Sequence, residues 1–266
     1  MVHVAVAQFA PGNDKEANLA RVSSLVGEAA DRGARVIVLP EYSLFTVPTM
    51  SREFVTSAEE LDGPFVTELR GLAKGRQITV VAGINEALPD GERISNTLVA
   101  AGPDGAIAAL YRKIHLYDAF GFRESELVRP GDIEAPETFE ADGITFGLQT
   151  CYDLRFPEVT RRLVDAGADA VLLPAEWMPG PLKEDHWTTL VRARAIENTI
   201  YLVAAGQAAP TGSGHSMIVD PMGVVVASLG ERTGTATGEV SADRISEVRA
   251  KNPALRLRRF AVTPKP

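Results

Sequence analysis

The chain holds a single cysteine, Cys151, among 266 residues. An internal disulfide and a cysteine-rich metal site are therefore both excluded. Positive charge is scarce as well. Lys and Arg number 27 against 35 Asp and Glu, a formal net charge of -8. Proteins that grip phosphate backbones usually present a basic face. The one basic cluster, Arg256, Arg258 and Arg259 near the C-terminus, reads as a solvated or subunit-contacting tail. The balance gives no reason to expect a nucleic-acid partner. No apolar run reaches the roughly 18 residues expected of a membrane span. The first residues, MVHVAVAQF, lack a basic region, an apolar core and a small-residue cleavage site, and read as a strand. A cytoplasmic protein is the expectation. The P-loop, GxGxxG and GxSxG motifs are all missing, so phosphate-cradling and serine-elbow chemistry lose their usual signatures.

What remains is an ordinary globular composition, 45% hydrophobic and 23% charged. A chain of this length suits one large domain that buries roughly 70–75% of its surface on folding. There is no repeat, low-complexity tract or long linker, so 1–266 reads as one domain. Its last ~20 residues read as a tail.

Periodicity gives the elements. Residues 2–9 alternate as a strand does, and Leu19, Val22, Leu25, Val26 and Ala29 share one face of a helix over 14–32. Asn13 and Glu16 resemble a capping pair, and Gly33 ends the helix. RVIVLP at 35–40 and DAVLLP at 169–174 are short apolar strands of the fully buried kind. Further helices are expected at 64–76, 156–167 and 183–199, and strands at 77–84, 144–150 and 200–206. Hairpins are expected around Pro103-Asp104-Gly105 and Asp220-Pro221-Met222-Gly223. Interleaved βαβ units and hairpins predict an α/β domain with buried sheets and outer helices.

Chemistry can gather at strand exits. Glu41, Lys113 and Cys151 each follow a predicted strand, and α/β folds collect ligands beyond the carboxyl ends of strands. Cys151 lies in TCYDLRFPE, between a strand and a helix, where a helix N-terminus favours the thiolate. A lone cysteine is equally at home as a small buried hydrophobe. Spacing alone does not select Glu41 and Lys113 over other acids and bases. With His3, His115, His186 and His215 present, a Cys–His enzyme stays open on composition.

The segments LPEYS (39–43), YRKIHLYD (111–118) and TCYDLRFPE (150–158), in this order, resemble the nitrilase superfamily of carbon–nitrogen hydrolases. The resemblance runs from VAVAQF to the GHSMIVDPMG segment. It implies a four-layer αββα sandwich and a Glu–Lys–Cys triad at Glu41, Lys113 and Cys151. It also implies an auxiliary glutamate in FRESELVRPGD, at Glu124 with Glu126 as the alternative, and an oxyanion donor at the backbone N–H of Tyr152. It implies pairing with a second copy as a homodimer or higher oligomer, with the C-terminal tail in the contact. The substrate would be a small-molecule amide, and neither cofactor nor metal is required. HLYDAF, CYDLRFPE, GPLKEDHW and GHSMIVDP are similar to the amidase branch that acts on deaminated glutathione and 2-oxoglutaramate. Such substrates carry carboxylates, for which the planar guanidinium of Arg155 is the natural partner. Trp177 would wall the pocket or belong to the core, and His186 would anchor the helix at 183–199. Glu176 stands where this branch leads one to expect a small residue, and an extra acid there would repel an anionic substrate. Nitrile or carbamoyl-amide hydrolysis, a Cys–His peptidase and a non-enzymatic binding protein are the competing readings.

Overall fold

The computed structural model describes residues 1–265. Strand β1 (Val2–Gln8) is buried throughout except at His3, and it leads into helix α1 (Lys15–Asp31). That helix returns the chain to β2 (Val36–Val38), parallel to β1. A short helix α2 (Glu53–Thr56) and α3 (Pro64–Arg76) precede β3 (Thr79–Ala87), parallel to β2. Strands β4 (Ile94–Ala101) and β5 (Ile107–Arg112) then complete an antiparallel run.

The second half begins with β6 (Thr138–Ala141) and β7 (Ile144–Leu148). Helix α4 (Pro157–Asp165), β8 (Ala170–Ala175), α5 (Lys183–Asn198) and β9 (Tyr201–Gly206) follow as parallel crossovers. Strands β10 (Ser216–Val219) and β11 (Val225–Gly230) close the second sheet as an antiparallel pair. Strand β12 (Gly234–Val240) crosses back to pair antiparallel with β1, and helix α6 (Ala242–Lys251) follows. The sheets run β12-β1-β2-β3-β4-β5 and β11-β10-β9-β8-β7-β6. Each half thus contains three parallel strands followed by two antiparallel ones. That duplication of connectivity is invisible as a sequence repeat.

Three apolar layers give the αββα order. Val4, Val6, Val36, Val38 and Val81 of one sheet meet Phe146, Leu148, Leu172 and Val203 of the other. On the outer face of the first sheet, Ile37 and Val80 pack with Val22 and Leu25 of α1 and Leu69 of α3. On the outer face of the second, Val171 and Leu202 pack with Leu163, Trp187 and Val191 of α4 and α5. Along β2, Val36 and Val38 face the partner sheet while Ile37 faces the helices. The two-residue period of a strand thus makes a short apolar run hydrophobic on both faces.

Some local expectations need correction. Asp14, not Asn13, caps α1, and its side chain accepts from the Ala17 N–H. Asp14 sits in extended backbone beside the first helical turn, where a carboxylate reaches the free N–H groups. Strand β12, written GTATGEV, carries too little apolar pattern to be read locally, because its partner β1 defines it. Helix α6 buries only Ile245 and Val248.

One close approach places the site. Gly83 in β3 lies beneath the turn that leaves β2: a methyl group there would sit 2.7 Å from Glu41 Cα and 2.8 Å from the Tyr42 nitrogen. Tyr42 itself adopts a positive φ of 54°. Gly83→Ala should therefore destabilise the fold by about 1–3 kcal/mol, as overpacking does, and lower the melting temperature by several degrees. A thermal melt that matches the wild type would show that the Glu41 turn can move without cost.

Candidate active site

Three strand exits and one loop meet above the sheets. Glu41 follows β2, Lys113 follows β5, and Cys151 follows β7 at the start of a single 3-10 turn, Cys151–Arg155. Their side chains are brought into one buried cluster, with residue exposures of 1% for Glu41, 2% for Lys113, 6% for Cys151 and 4% for Glu124. Lys113 Nζ donates to Glu41 Oε1 at 2.9 Å and lies 2.9 Å from Glu124 Oε2. Glu126 points elsewhere, pairing with Arg123 at the surface.

Each carboxylate is fully engaged. Glu41 also accepts from Asn96 Nδ2 at 2.6 Å and from the Glu176 N–H at 2.6 Å. Gln207 Nε2 donates to the Glu41 carbonyl and fixes its backbone. Glu124 accepts from the Tyr42 hydroxyl at 2.8 Å and the Tyr117 N–H at 2.6 Å. Asn96 reaches both carboxylates, since Nδ2 also lies 3.2 Å from Glu124 Oε1. Asn96 and Tyr42 escape motif reading. The available signal for Asn96 is the polar run Ser95-Asn96-Thr97 at the start of a fully buried strand, β4.

The nucleophile turn is held from below. Cys151 has a φ of 43°, a left-handed backbone that costs a non-glycine residue about 1–2 kcal/mol. Buried Asp153 ties this turn to the segment after Lys113. It accepts from Tyr111 Oη at 2.7 Å, the His115 N–H at 3.1 Å and the Thr150 N–H at 3.2 Å. Among the described residues the Tyr152 N–H, next to the thiol, has no intramolecular partner.

Electrostatics set the resting protonation. Burial alone would lower the Lys113 pKa, but Glu124 and Glu41 outweigh it and hold the ammonium well above its ordinary value. Burial pushes Glu124 up, yet Lys113 and the hydrogen bonds from Lys113, Tyr117 and Tyr42 leave it below the usual carboxylate range. Burial and then the Glu41 charge raise the Cys151 thiol well above its ordinary value, against the pull of Lys113. The pull of one short 3-10 turn toward the thiolate is outweighed by burial beside a carboxylate. The thiol donates to the Glu176 carbonyl oxygen at 3.6 Å, with the Glu41 carboxylate acting on it as a nearby charge. The charged groups that act on it are Glu41, Lys113 and Glu124, with no histidine among them. His115 is bound to Asp153 and His186 lies against Arg155.

A cavity of about 70 Å³ opens on the thiol, walled by Val47, Pro48, Met50, Phe54 and Met178, with Glu176 on its rim. Trp177 does not line it. That ring is 2% exposed, packs against Trp187, and donates from Nε1 to the Lys183 carbonyl. It serves as a platform: the Arg155 guanidinium lies 4.8 Å and the Lys183 ammonium 5.0 Å from its centroid. Neither cation takes part in an ion pair among the described residues. Lys183, overlooked in the sequence, has its pKa lowered by burial and by Arg155. The Tyr152 ring packs edge-on against Tyr117 beside them.

The carbon–nitrogen hydrolase family model matches residues 3–250. The deaminated glutathione amidase of Escherichia coli O157:H7 is 42% identical, over 97% of this chain and 97% of that protein. The omega-amidase of Homo sapiens is 32% identical over 96% of this chain and 94% of its own. Among solved structures, the C. elegans NitFhit protein superposes with a TM-score of 0.89 and 31% identity over 97% of this chain. The chain spans 65% of the length of that protein.

A direct titration tests the resting thiol. Thiolate absorbance should show a midpoint above the ordinary value of about 8.5. Glu41→Gln removes the neighbouring charge and should move that midpoint down. A midpoint that stays or rises in Glu41→Gln would contradict the electrostatic account.

Proposed function

The chain belongs to the carbon–nitrogen hydrolase family, and from that premise we propose that it hydrolyses a small carboxylate-bearing amide through a thioester on Cys151. The substrate is deaminated glutathione, cleaved to 2-oxoglutarate and cysteinylglycine. The observation that carries the reading is the buried Glu41–Lys113 pair, 2.9 Å apart, beside a neutral thiol.

Glu41 is the base. As Sγ attacks the amide carbonyl carbon, the thiol proton passes to Glu41, so the nucleophile and the acid for the next step form together. Lys113 and the Tyr152 N–H stabilise the oxygen that becomes negative; such donors are each worth about 3 kcal/mol in acyl transfer. The tetrahedral intermediate collapses, the C–N bond breaks, and the leaving amine takes the proton from Glu41. Water then loses a proton to Glu41 and attacks the thioester. The second collapse releases the acid and returns the proton to sulfur. Glu124 keeps Lys113 charged and in place throughout.

Arg155 and Lys183 receive the substrate carboxylate. Lys183 Nζ donates to Tyr117 Oη at 3.0 Å and Arg155 lies 3.4 Å from His186 Nδ1, but among the described residues neither cation has the carboxylate partner that the substrate brings. Glu176 does not repel it, because burial and Glu41 hold that acid well above the usual carboxylate range. The omega-amidase relative supports a second reading, 2-oxoglutaramate to 2-oxoglutarate and ammonia, by the same residues. No helix among the described residues is long and apolar enough to cross a membrane. We place the enzyme in the cytoplasm, where its one cysteine stays reduced. We take 1–266 as one domain that pairs with a second copy, the C-terminal residues in the contact.

Release of 2-oxoglutarate from synthetic deaminated glutathione tests the whole reading. Cys151→Ala should abolish it, and Lys113→Met should lower kcat by about 10²–10³-fold. Arg155→Met should act mainly on KM. Equal turnover by Cys151→Ala would sink the mechanism. No release from folded wild type would reject the substrate and send the assay to 2-oxoglutaramate. Light scattering should report at least a dimer; a monomer alone would remove the assembly proposal.

A further inference from the structure

Glu176 is a half-buried acid that the mechanism above does not use. Its backbone is committed, the N–H to Glu41 at 2.6 Å and the carbonyl to Cys151 Sγ at 3.6 Å. Its carboxyl is not. The two oxygens lie 3.3 and 3.5 Å from Thr46 Oγ1, well beyond the roughly 2.7–2.8 Å usual for O–H···O bonds. Among the described residues no other side chain or backbone group bonds them. The carboxyl therefore stands on the wall of the cavity with its hydrogen-bonding capacity unspent, among Val47, Pro48, Met50, Phe54 and Met178.

Charge decides its state. Sharing the cavity with it are Glu41 and Tyr42 from the turn after β2, Lys113 from the exit of β5, Tyr117, Arg123 and Glu124 from the loop beyond it, and Cys151. Lys113 is the cation in this set that bears on Glu176, and it already answers both Glu41 and Glu124. A third carboxylate would crowd negative charge around one ammonium, which neutralisation relieves. Burial and then Glu41 hold Glu176 well above the usual carboxylate range. A neutral carboxylic acid offers what a carboxylate lacks, one O–H donor.

We propose that Glu176, as a neutral acid, is a specificity residue that donates a hydrogen bond to a ketone oxygen on the acyl part of the substrate. The cavity adjoins the thiol, so it takes the atoms bonded to the acyl carbon, and Glu176 lies on it beside the apolar side chains of Val47, Pro48, Met50, Phe54 and Met178. An acyl chain with an oxygen acceptor is favoured over its all-methylene counterpart, because only the former uses the donor. The inference rests on the amide-hydrolase reading and narrows its substrate class to oxo-acyl amides.

The test uses 4-oxopentanamide, the 2-oxoglutaryl chain without its carboxylate, against pentanamide. Removing the carboxylate takes Arg155 and Lys183 out of the comparison. The ratio of kcat/KM for the oxo-amide over pentanamide should fall at least tenfold in Glu176→Ala. Glu176→Gln keeps a neutral donor and should hold the ratio within about threefold of wild type. The wild-type oxo-amide rate should fall on the alkaline side as Glu176 ionises, and Glu176→Gln should lack that limb. An unchanged ratio in Glu176→Ala, or Glu176→Gln behaving like Glu176→Ala while its circular dichroism matches wild type, would overturn the proposal. If the wild type cleaves neither amide, the amidase reading is judged separately by release from deaminated glutathione. Calorimetric binding of 4-oxopentanamide to Cys151→Ala protein then decides the matter for Glu176. Binding should weaken with added Glu176→Ala and survive added Glu176→Gln; equal binding by both would overturn it.

Discussion

One ammonium held between two carboxylates organises this molecule. Lys113 lies 2.9 Å from both Glu41 and Glu124 with almost no exposure to water. Taking three charges out of water is costly, and their attraction repays the cost only when the geometry is fixed and the remaining lone pairs are bonded. The surrounding structure supplies that. Asn96 and Tyr42 serve the carboxylates from the side, and the backbone N–H groups of Tyr117 and Glu176 serve them from loops. Removing any one partner leaves an unanswered charge in a dry place, so the cluster tolerates no slack.

The fold supplies the rigidity. Glu41, Lys113 and Cys151 come from sequence positions far apart, yet each follows a strand whose neighbours are packed on both faces. The two sheets repeat one connectivity, which places the exits of β2 and β7 on opposed sheets. Gly83 lets the Glu41 turn rest directly on β3, and Asp153 laces the cysteine turn to the β5 exit. The strained backbone at Cys151 is held by these contacts rather than by local preference.

Much of this was legible in the sequence. Buried apolar runs gave β2 and β8, the Pro-Asp-Gly turn gave the β4–β5 hairpin, and the strand-exit placement of Glu41, Lys113 and Cys151 suggested a shared rim. What escaped depends on partners distant in the chain. Strand β12 is defined by β1, not by its own Gly- and Thr-rich pattern. Asn96 becomes a ligand of two acids only once β4 is laid beside the Glu41 turn. Trp177 reads equally as wall or core until its ring is found beneath two cations. At Cys151 the helix start that favours the thiolate is local in the sequence, while the burial and the Glu41 charge that oppose it exist only in the fold.

That last point bears on how the site works. A cysteine held as a thiol beside a carboxylate is unreactive toward oxidants and alkylating agents, whose target is the thiolate. In the proposed mechanism the base that suppresses the thiolate at rest is also the one that removes its proton during attack, when the developing negative charge moves from sulfur to the carbonyl oxygen near Lys113. Reactivity is then tied to the presence of an electrophile in the right place. Lys113 contributes little net charge to the resting sulfur, because Glu41 and Glu124 answer it, but it is positioned for the oxygen that forms later. The same cluster therefore protects the nucleophile before substrate arrives and stabilises the charge that appears only after attack.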